Sequence, residues 1–354
     1  RTLVFSLPYI KNPIPIGVIF KALGYITDEQ ISDLVGLKTE SMQPYMDLIL
    51  RDSFFVDSQE RALDHIGAHA KNPLNKAERA KYAWQVLEGE LFPHMGVCST
   101  IKEKAYFVGH MVHKLMSTHL KMREPDDRDN YVNKRIEPTG VLCFDLFRTL
   151  YKNYIDSIAQ VLADRKQRPD ILSVMARHNI ITSGFRHCYA TGKWGAQKNS
   201  YTRAGVSQVL CRLTYGATLS HLRRATIPIG KEGKNAKMRQ IHPSQAMFLC
   251  PTETPEGAAV GIVLNFSLLT KMSRRVPTVQ IKHVVETMES ITLLNDFIGD
   301  NDQTKIFVNG TFMGMTDDSY TFVDEFKDLR DSKLIHRDVS VGYDDIDDEI
   351  HIFS

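Results

Sequence analysis

Apolar residues recur every three or four positions through much of the first half of the chain, with charged residues between them. This spacing matches an α-helix that buries one face and exposes the other. It is clearest in four segments, residues 58–67, 76–87, 105–116 and 144–165. The pattern predicts a mostly helical region up to about residue 175, with the Met and aromatic side chains of these helices in the core.

The last part of the chain alternates between apolar and polar residues, as a half-buried strand does. Two such runs within residues 305–315 flank Asn309-Gly310, and a third occupies Glu349–Phe353. Asn-Gly favours a two-residue type I′ turn, because both positions of that turn need a positive φ. The sequence therefore predicts a β-hairpin at 305–315 and a β-rich C-terminal region.

Charge is distributed unevenly, although the whole chain carries a formal net charge of only +2. Residues 186–239, hereafter the basic segment, contain eleven Lys and Arg residues and a single acid, Glu232. Residues 286–349 contain seventeen acids and five cations, which favours a domain boundary near Pro277. A local positive excess threaded with Gly, Ser, Thr and Gln is typical of a surface that meets phosphates.

Two loops hold much of this positive charge. Residues 191–200 contain two lysines and two glycines, and residues 228–239 contain three lysines and Arg239. A single lysine in such a loop is equally well explained as solvated surface. Dense charge of one sign repels itself unless a counter-charge arrives, so the whole set favours nucleic-acid binding. The second loop is not a nucleotide-binding P-loop, because Pro228 and Asn235 replace the required Gly and Ser or Thr.

Residues that could carry catalysis or bind a metal are scarce. Thr254-Pro255 predicts a helix start, and Glu253 and Glu256 beside it are candidates to orient the basic loop or to lie near a metal or substrate. Residues 126–129 are better explained as a capped turn with ion pairs than as a metal cluster. The five cysteines form no C-x-x-C pair, which indicates free thiols and disfavours a zinc site.

Six motifs follow one another along the chain, at 126–135, 191–198, 202–210, 219–224, 239–243 and 250–257. Together they resemble the second-largest subunit of multisubunit DNA-dependent RNA polymerases. The last motif reads Cys-Pro-Thr-Glu-Thr-Pro-Glu-Gly. Residues 7–16 and 307–310 are also similar to that family, so the resemblance covers nearly the whole chain. Trp194-Gly195, Thr202-Arg203 and the long 226–242 loop resemble the eukaryotic, archaeal and large-DNA-virus branch.

The resemblance implies an α+β multidomain chain with a mostly helical N-terminal lobe, a mixed α/β fork and a β-rich C-terminal domain. By that similarity residues 1–135 would be the lobe, 136–190 a return to the protrusion, 191–277 the fork and 278–354 the first external domain. The chain has no initiator Met and ends within an alternating run. We therefore expect a piece of a longer polypeptide, with a trimmed form as the alternative.

The resemblance also implies positions for the functional residues. The loop at 191–200 would lie beside the RNA–DNA hybrid, and the loop at 229–237 would face downstream DNA. The nucleic-acid-binding residues that it implies are Lys193, Lys198, Arg203, Gln208, Arg223, Arg224, Lys231, Lys234, Lys237 and Arg239. Glu256 would lie near the active centre. No residue of this chain would be catalytic or bind a metal.

The expected function is handling of DNA and the RNA–DNA hybrid within a DNA-directed RNA polymerase, whose Mg²⁺ the family holds mainly in its largest subunit. Expected partners are the largest and other polymerase subunits, the DNA template and the hybrid, in the nucleus, or in the cytoplasm for a viral or archaeal protein. The chain alone should not synthesise RNA. No run of 18 apolar residues predicts a membrane span. A stand-alone nucleic-acid-binding architectural protein is the alternative, and a nuclease is disfavoured because the basic segment lacks clustered carboxylates.

Overall fold

The computed structural model describes two compact units. The described residues are 2–36, 40–72, 75–96, 99–163, 172, 175, 179–194, 203–229, 236–294 and 303–354. Unit 1 combines residues 1–125 with residues 272–354, and unit 2 comprises residues 126–271. Residues that are distant in sequence therefore share the core of unit 1.

The N-terminal part of unit 1 is helical after a short two-stranded sheet. The strands are β1 (Val4–Phe5) and β2 (Ile14–Pro15). The helices are α1 (Ile16–Ala22), α2 (Asp28–Val35), α3 (Gln43–Asp52), α4 (Gln59–Ala68), α5 (Lys76–Gly89) and α6 (Ile101–His119). The helices predicted at 58–67, 76–87 and 105–116 are confirmed.

Side-chain hydrogen bonds fix where several of these helices begin. Thr27 and Thr100 each form a capping box with the residue three positions later, Gln30 and Glu103 respectively. Ser58 caps α4 in the same way, although without the reciprocal bond. Such caps satisfy N–H groups that have no partner within the helix. The apolar faces of these helices then pack into one core, in which Phe20, Ile31, Met46, Ile66 and Val108 are fully buried.

Unit 2 is built from three helices and a pair of short strands within the described residues. They are α7 (Thr139–Ala163), α8 (Ile180–Thr191), α9 (Tyr215–Leu222), β3 (Arg224–Thr226) and β4 (Val263–Asn265), with β3 antiparallel to β4. Leu146 of α7, Cys188 of α8 and Trp194 form a small buried cluster. The amphipathic stretch predicted at 144–165 corresponds to α7, with residues 164 and 165 outside the described ranges. The prediction that its aromatic side chains lie in the core is wrong, because Phe144, Phe147 and Tyr151 are exposed.

The C-terminal part of unit 1 is a five-stranded sheet with two helices. Its elements are α10 (Thr278–Glu286), β5 (Thr292–Leu293), β6 (Thr304–Val308), β7 (Thr311–Thr316), α11 (Ser319–Asp331), β8 (Ser340–Asp344) and β9 (Glu349–Phe353). The strand order is β5-β7-β6-β9-β8, and β6 and β9 run parallel while the other neighbours are antiparallel. The predicted strand at 349–353 and the α+β fold class are confirmed.

The predicted hairpin is formed by β6 and β7. Asn309 and Gly310 have φ values of 49° and 78°, both positive as a type I′ turn requires. The Asn309 amide also donates to Thr278 Oγ1 (2.9 Å) and to Ser354 Oγ (2.6 Å). The turn residue that permits the hairpin therefore also ties it to α10 and to the strand end at β9.

A group of charged residues joins α6 to β9 inside unit 1. We call it the Glu349 cluster, and its members are Glu349, Asp347, Lys114, Arg123, His110 and His351. The Glu349 carboxylate lies 2.7 Å from Lys114 Nζ, 3.0 Å from His110 Nε2 and 3.2 Å from His351 Nε2. Asp347 accepts hydrogen bonds of 2.5 and 2.6 Å from the Arg123 guanidinium. The Glu349 side chain is only 2% exposed, so these contacts replace its hydration.

Burial acts on the pKa values of this cluster in two ways. Burial alone would raise the pKa of Glu349, but hydrogen bonds from His110 and His351 and the charge of Lys114 lower it strongly. Burial lowers the pKa of His110, whose ring lies 5.3 Å from that of Phe307. We therefore assign an ionised Glu349 beside a neutral His110, whose Nε2 lies 3.0 Å from Glu349 Oε1.

Within the described ranges, none of the helices combines the length and apolar character that crossing a membrane requires.

Candidate nucleic-acid interface

Trp194 and Arg203 form an antiparallel backbone pair that closes the base of a loop, whose residues 195–202 lie outside the described set. The Trp194 N–H donates to the Arg203 carbonyl (2.8 Å), and the Arg203 N–H donates back (3.0 Å). The buried indole N–H of Trp194 donates to the Leu142 carbonyl of α7 (2.8 Å). Helix α7 therefore anchors both arms of this loop at their base.

Lys193 and Arg203, two of the predicted site residues, are exposed on the two arms of this loop. The Arg203 guanidinium forms an ion pair with both carboxylate oxygens of Glu137, and the two side chains are 47% and 46% exposed. The hydrogen bond from Arg203 lowers the pKa of Glu137, so this carboxylate stays ionised. The predicted site residue Lys198 lies outside the described residues.

Gln208 is held in place by His221 of α9. His221 Nδ1 accepts a hydrogen bond from the Cys211 N–H (3.1 Å), so Nε2 carries the proton and donates to Gln208 Oε1 (3.1 Å). Gln208 Nε2 donates to the Gly205 carbonyl (2.9 Å). The exposed Gln208 amide is thereby oriented and retains one further N–H donor.

Arg223 and Arg224 are neighbours in sequence with different environments. The half-buried Arg223 guanidinium donates to the carbonyls of Ser267 (2.5 Å), Thr270 (3.2 Å) and Leu268 (3.3 Å). Arg224 is the first residue of β3 and is exposed. Arg223 therefore stabilises the backbone at 267–270, whereas Arg224 presents its charge to solvent.

Lys237 and Arg239 lie in a single 3-10 turn, Lys237–Arg239. Lys237 is exposed, whereas Arg239 Nη1 donates to the carbonyls of Ala258 (2.8 Å) and Val260 (2.9 Å). Gly261 has a φ of +68°, and a Cβ there would collide with the Arg239 carbonyl oxygen. The remaining predicted residues of this loop, Lys231 and Lys234, lie outside the described residues.

The helix start predicted at Thr254-Pro255 is wrong. Thr254 Oγ1 donates to the Val263 carbonyl (2.9 Å) and accepts from the Gly261 N–H (3.0 Å). The hydroxyl is therefore used to cross-link the loop and does not cap a helix. Only a 3-10 turn follows, at Gly257–Ala259.

The two glutamates of the 250–257 motif have different surroundings. Glu253 Oε1 accepts a hydrogen bond from Ser220 Oγ in α9, and the same hydroxyl accepts one from Asn265 Nδ2 (3.1 Å). This chain of hydrogen bonds ties the motif to α9 and β4. Glu256 is exposed immediately before the 3-10 turn and forms no capping hydrogen bond.

Two of the six motifs meet at Asp127 and His242. His242 Nε2 contacts Asp127 Oδ2 (2.8 Å), and His242 Nδ1 contacts Ser244 Oγ (2.6 Å). The hydrogen bond from the Asp129 N–H, followed by that from His242, lowers the pKa of Asp127. The predicted turn, capped by Asp127 Oδ1, is confirmed, and Asp127 contacts the basic side chain of His242. The Ser244 hydroxyl accepts the Tyr131 N–H (2.9 Å), so this arrangement is a structural cross-link.

The described part of the chain contains no group of three or more His, Cys, Asp or Glu side chains that could hold a metal ion. A Mg²⁺ ion prefers several oxygen ligands in octahedral geometry. The described residues do not provide such a set, so no chemical step is assigned to a metal here.

Sequence reasoning missed three residues that organise this surface, namely Glu137, Ser220 and His221. Ser220 and His221 lie within the 219–224 motif, which is the only local signal that could have singled them out. Glu137 follows the 126–135 motif, and its partner Arg203 is 66 positions away, so no local pattern could have paired them.

Comparison with known proteins gives consistent matches along the chain. The protein-family model for RNA polymerase Rpb2, domain 2, matches residues 1–137. The family models for domain 3 and domain 4 of Rpb2 match residues 208–272 and 306–354. The DNA-directed RNA polymerase II subunit RPB2 of Schizosaccharomyces pombe is 36% identical over 100% of this chain and 30% of its own length.

Two further relatives come from a plant and a virus. The DNA-directed RNA polymerase II subunit 2 of Arabidopsis thaliana is 38% identical over 99% of this chain and 30% of its own length. The probable RPB2 homologue of Invertebrate iridescent virus 6 is 36% identical over 100% of this chain and 32% of its own length. The chain therefore spans about a third or less of the length of these relatives. As its six motifs predict, the chain belongs to the Rpb2 family, the second-largest subunits of DNA-directed RNA polymerases.

Proposed function

We propose that this chain guides DNA and the RNA–DNA hybrid within a DNA-directed RNA polymerase, through the exposed cations of the basic segment. The observation that carries the proposal is the excess of ten positive charges at 186–239, together with the exposure of Lys193, Arg224 and Lys237. Binding of such cations to phosphates is favourable because it releases the counterions condensed on the nucleic acid. Family membership supports this function over a stand-alone architectural protein.

The proposed contacts divide by environment. Lys193, Arg203, Arg224 and Lys237 are exposed and are the proposed phosphate contacts, and Gln208 offers an oriented amide donor. Arg223 and Arg239 use their guanidinium groups on backbone carbonyls, so we propose that they hold the loops in place. Lys198, Lys231 and Lys234 are proposed contacts on sequence grounds alone.

Catalysis is proposed to belong to the assembled polymerase. The Mg²⁺ that the family uses would be held mainly by the largest subunit, and Glu256 would lie near the active centre without binding the metal. The proposed partners are the largest and other polymerase subunits, the DNA template and the RNA–DNA hybrid. The proposed location is nuclear, or cytoplasmic for a viral or archaeal protein. Template-dependent nucleotide incorporation by the purified chain alone would contradict this assignment.

Fluorescence anisotropy with a labelled RNA–DNA hybrid tests the proposed interface. If several cations meet phosphates, log K should fall linearly with log salt, by about 0.7 to 0.9 per contact. K193A/R224A/K237A should flatten this slope by about two units, because three contacts are lost. The matched control is K11A/K76A/K81A, which removes three exposed lysines of unit 1 and should leave the slope almost unchanged. A wild-type affinity that does not respond to salt would refute the proposed interface.

A further inference from the structure

Glu137 binds Arg203 with the geometry that a phosphate would use. Its two oxygens face two guanidinium nitrogens, Nη1 and Nη2. A guanidinium presents the same planar fork to a carboxylate and to a phosphate. We propose that Glu137 is a placeholder that neutralises Arg203 in the nucleic-acid-free protein and is displaced when a backbone phosphate binds. This inference rests on the proposed function of the basic segment.

The exposure of the pair makes such an exchange feasible. The side chains of Arg203 and Glu137 are 47% and 46% exposed, so water screens their attraction. Exposed ion pairs of this kind contribute little to stability. A phosphate that arrives as part of a polyanion can therefore replace the carboxylate at low cost. Glu137 then returns to water as a hydrated anion.

The backbone around the pair is fixed, so the exchange needs only side-chain motion. Arg203 is held by its backbone pairing with Trp194. The Trp194 indole N–H in turn donates a hydrogen bond to the Leu142 carbonyl in α7. Glu137 lies two residues before the first residue of α7, Thr139. The same helix therefore positions the guanidinium and the carboxylate. The proposed exchange therefore requires rotation of these two exposed side chains.

Asp145 provides an internal control for simple charge effects. The hydrogen bond that Arg203 donates to Glu137 is the main cause that raises the pKa of Arg203, and the charge of Asp145 adds to it. Asp145 lies further along α7 and is exposed. Glu137→Gln and Asp145→Asn each remove one negative charge near Arg203, but only the first removes the placeholder.

The experiment measures binding of a labelled RNA–DNA hybrid to the whole chain as a function of salt. In the wild type, a phosphate that binds Arg203 releases one counterion from the nucleic acid. The displaced Glu137 carboxylate takes up one cation from solution, so the Arg203 contact releases no net counterion. In E137Q this uptake is absent. We expect E137Q to bind about 1.5 to 5 times more tightly at low salt, the range given by the free energy of an exposed ion pair. The salt slope should steepen by about 0.7 to 0.9.

A double-mutant cycle with R203Q separates the placeholder from general electrostatics. In the R203Q background the gain from E137Q should fall to the smaller gain that D145N gives, because only the general charge effect remains. D145N should give a smaller gain, no change in slope, and the same gain in both backgrounds. Weaker binding by E137Q, or equal effects of E137Q and D145N, would overturn the inference. A salt-independent wild type would instead refute the proposed function, so the two failures are distinguishable. Glu137→Ala tests the same expectation with a side chain that carries neither the carboxylate nor the amide of glutamine.

Discussion

The Glu349 cluster and the Glu137–Arg203 pair contain the same chemical groups in opposite environments. Glu349 is 2% exposed and Asp347 9%, whereas Glu137 and Arg203 are both close to half exposed. A buried carboxylate depends on its partners because water cannot replace them, whereas an exposed one can change partners. The Glu349 cluster therefore holds distant segments of unit 1 together, whereas the Glu137–Arg203 pair of unit 2 is exposed enough to exchange partners.

The largest expected effect comes from removing the central carboxylate of the buried cluster. Glu349→Ala leaves Lys114 without its closest partner and with its charge partly buried. Breaking a buried pair in this way should lower the free energy of unfolding by about 3–5 kcal/mol. Urea denaturation of the purified chain measures it. Asp324→Ala, which breaks an exposed pair with Lys327, should cost less than about 0.5 kcal/mol. Equal effects of the two substitutions would remove the contrast between the two environments.

Unit 2 should depend on backbone contacts more than on ion pairs. Gly261→Ala places a methyl group against the Arg239 carbonyl and forces an L-residue to adopt φ +68°. The expected loss is about 2–3 kcal/mol of unfolding free energy. Gly257→Ala has a similar φ of +80° but no atom within 4 Å of the new Cβ, so only the conformational cost, about 1–2 kcal/mol, should remain. If the two losses are equal, the close approach at Gly261 has no energetic role.

These two regions also differ in how much of them the sequence could predict. The helices of unit 1 follow from apolar spacing and caps such as Thr100, and the hairpin follows from Asn309-Gly310, because these signals are local. The parallel pairing of β6 with β9 could not be predicted, since the strands are some forty residues apart and α11 and β8 lie between them. The Glu349 cluster joins α6 to β9 across an even longer separation.

The site shows the same limit. The sequence alone shows that residues 186–239 are basic. It does not show which of these cations are exposed and which are hydrogen-bonded to backbone carbonyls. Arg223 and Arg239 look the same in sequence as Arg224, yet their guanidinium groups are bound to carbonyls at 258–270. Thr254 was predicted to cap a helix, because the sequence does not reveal that Val263 and Gly261 compete for its hydroxyl. The domain boundaries at 135, 190 and 277 stay predictions.

Acid should weaken unit 1 through the buried cluster. Burial lowers the pKa of His110, so between pH 7.5 and 5.5 the unfolded chain takes up a proton that the folded chain refuses. Stability therefore falls as pH falls through the ordinary pKa of histidine. The lowered pKa of Glu349 acts in the same direction at still lower pH, where its unfolded form becomes protonated. The measurement is unfolding free energy against pH.

A variant comparison isolates the histidine in that measurement. His110→Gln retains a donor for Glu349 and removes the titrating group, so the pH dependence between 7.5 and 5.5 should become flatter. His283→Gln removes a histidine whose side chain is 78% exposed and should leave the dependence as in the wild type. If H110Q has the same dependence of unfolding free energy on pH as the wild type, His110 is not the group that causes this dependence.

The smallest expected effect on stability belongs to the exposed cations of unit 2. Lys193, Arg224 and Lys237 are exposed, and substitutions at such positions usually change the unfolding free energy by less than about 0.5 kcal/mol each. K193A/R224A/K237A should therefore melt within a few degrees of the wild type while its affinity for an RNA–DNA hybrid falls. E349A should show the reverse, with lower stability and, wherever it remains folded, an unchanged salt slope. If the triple variant instead unfolds early and binds normally, these cations stabilise unit 2, and the contrast between buried structural charges and exposed binding charges fails.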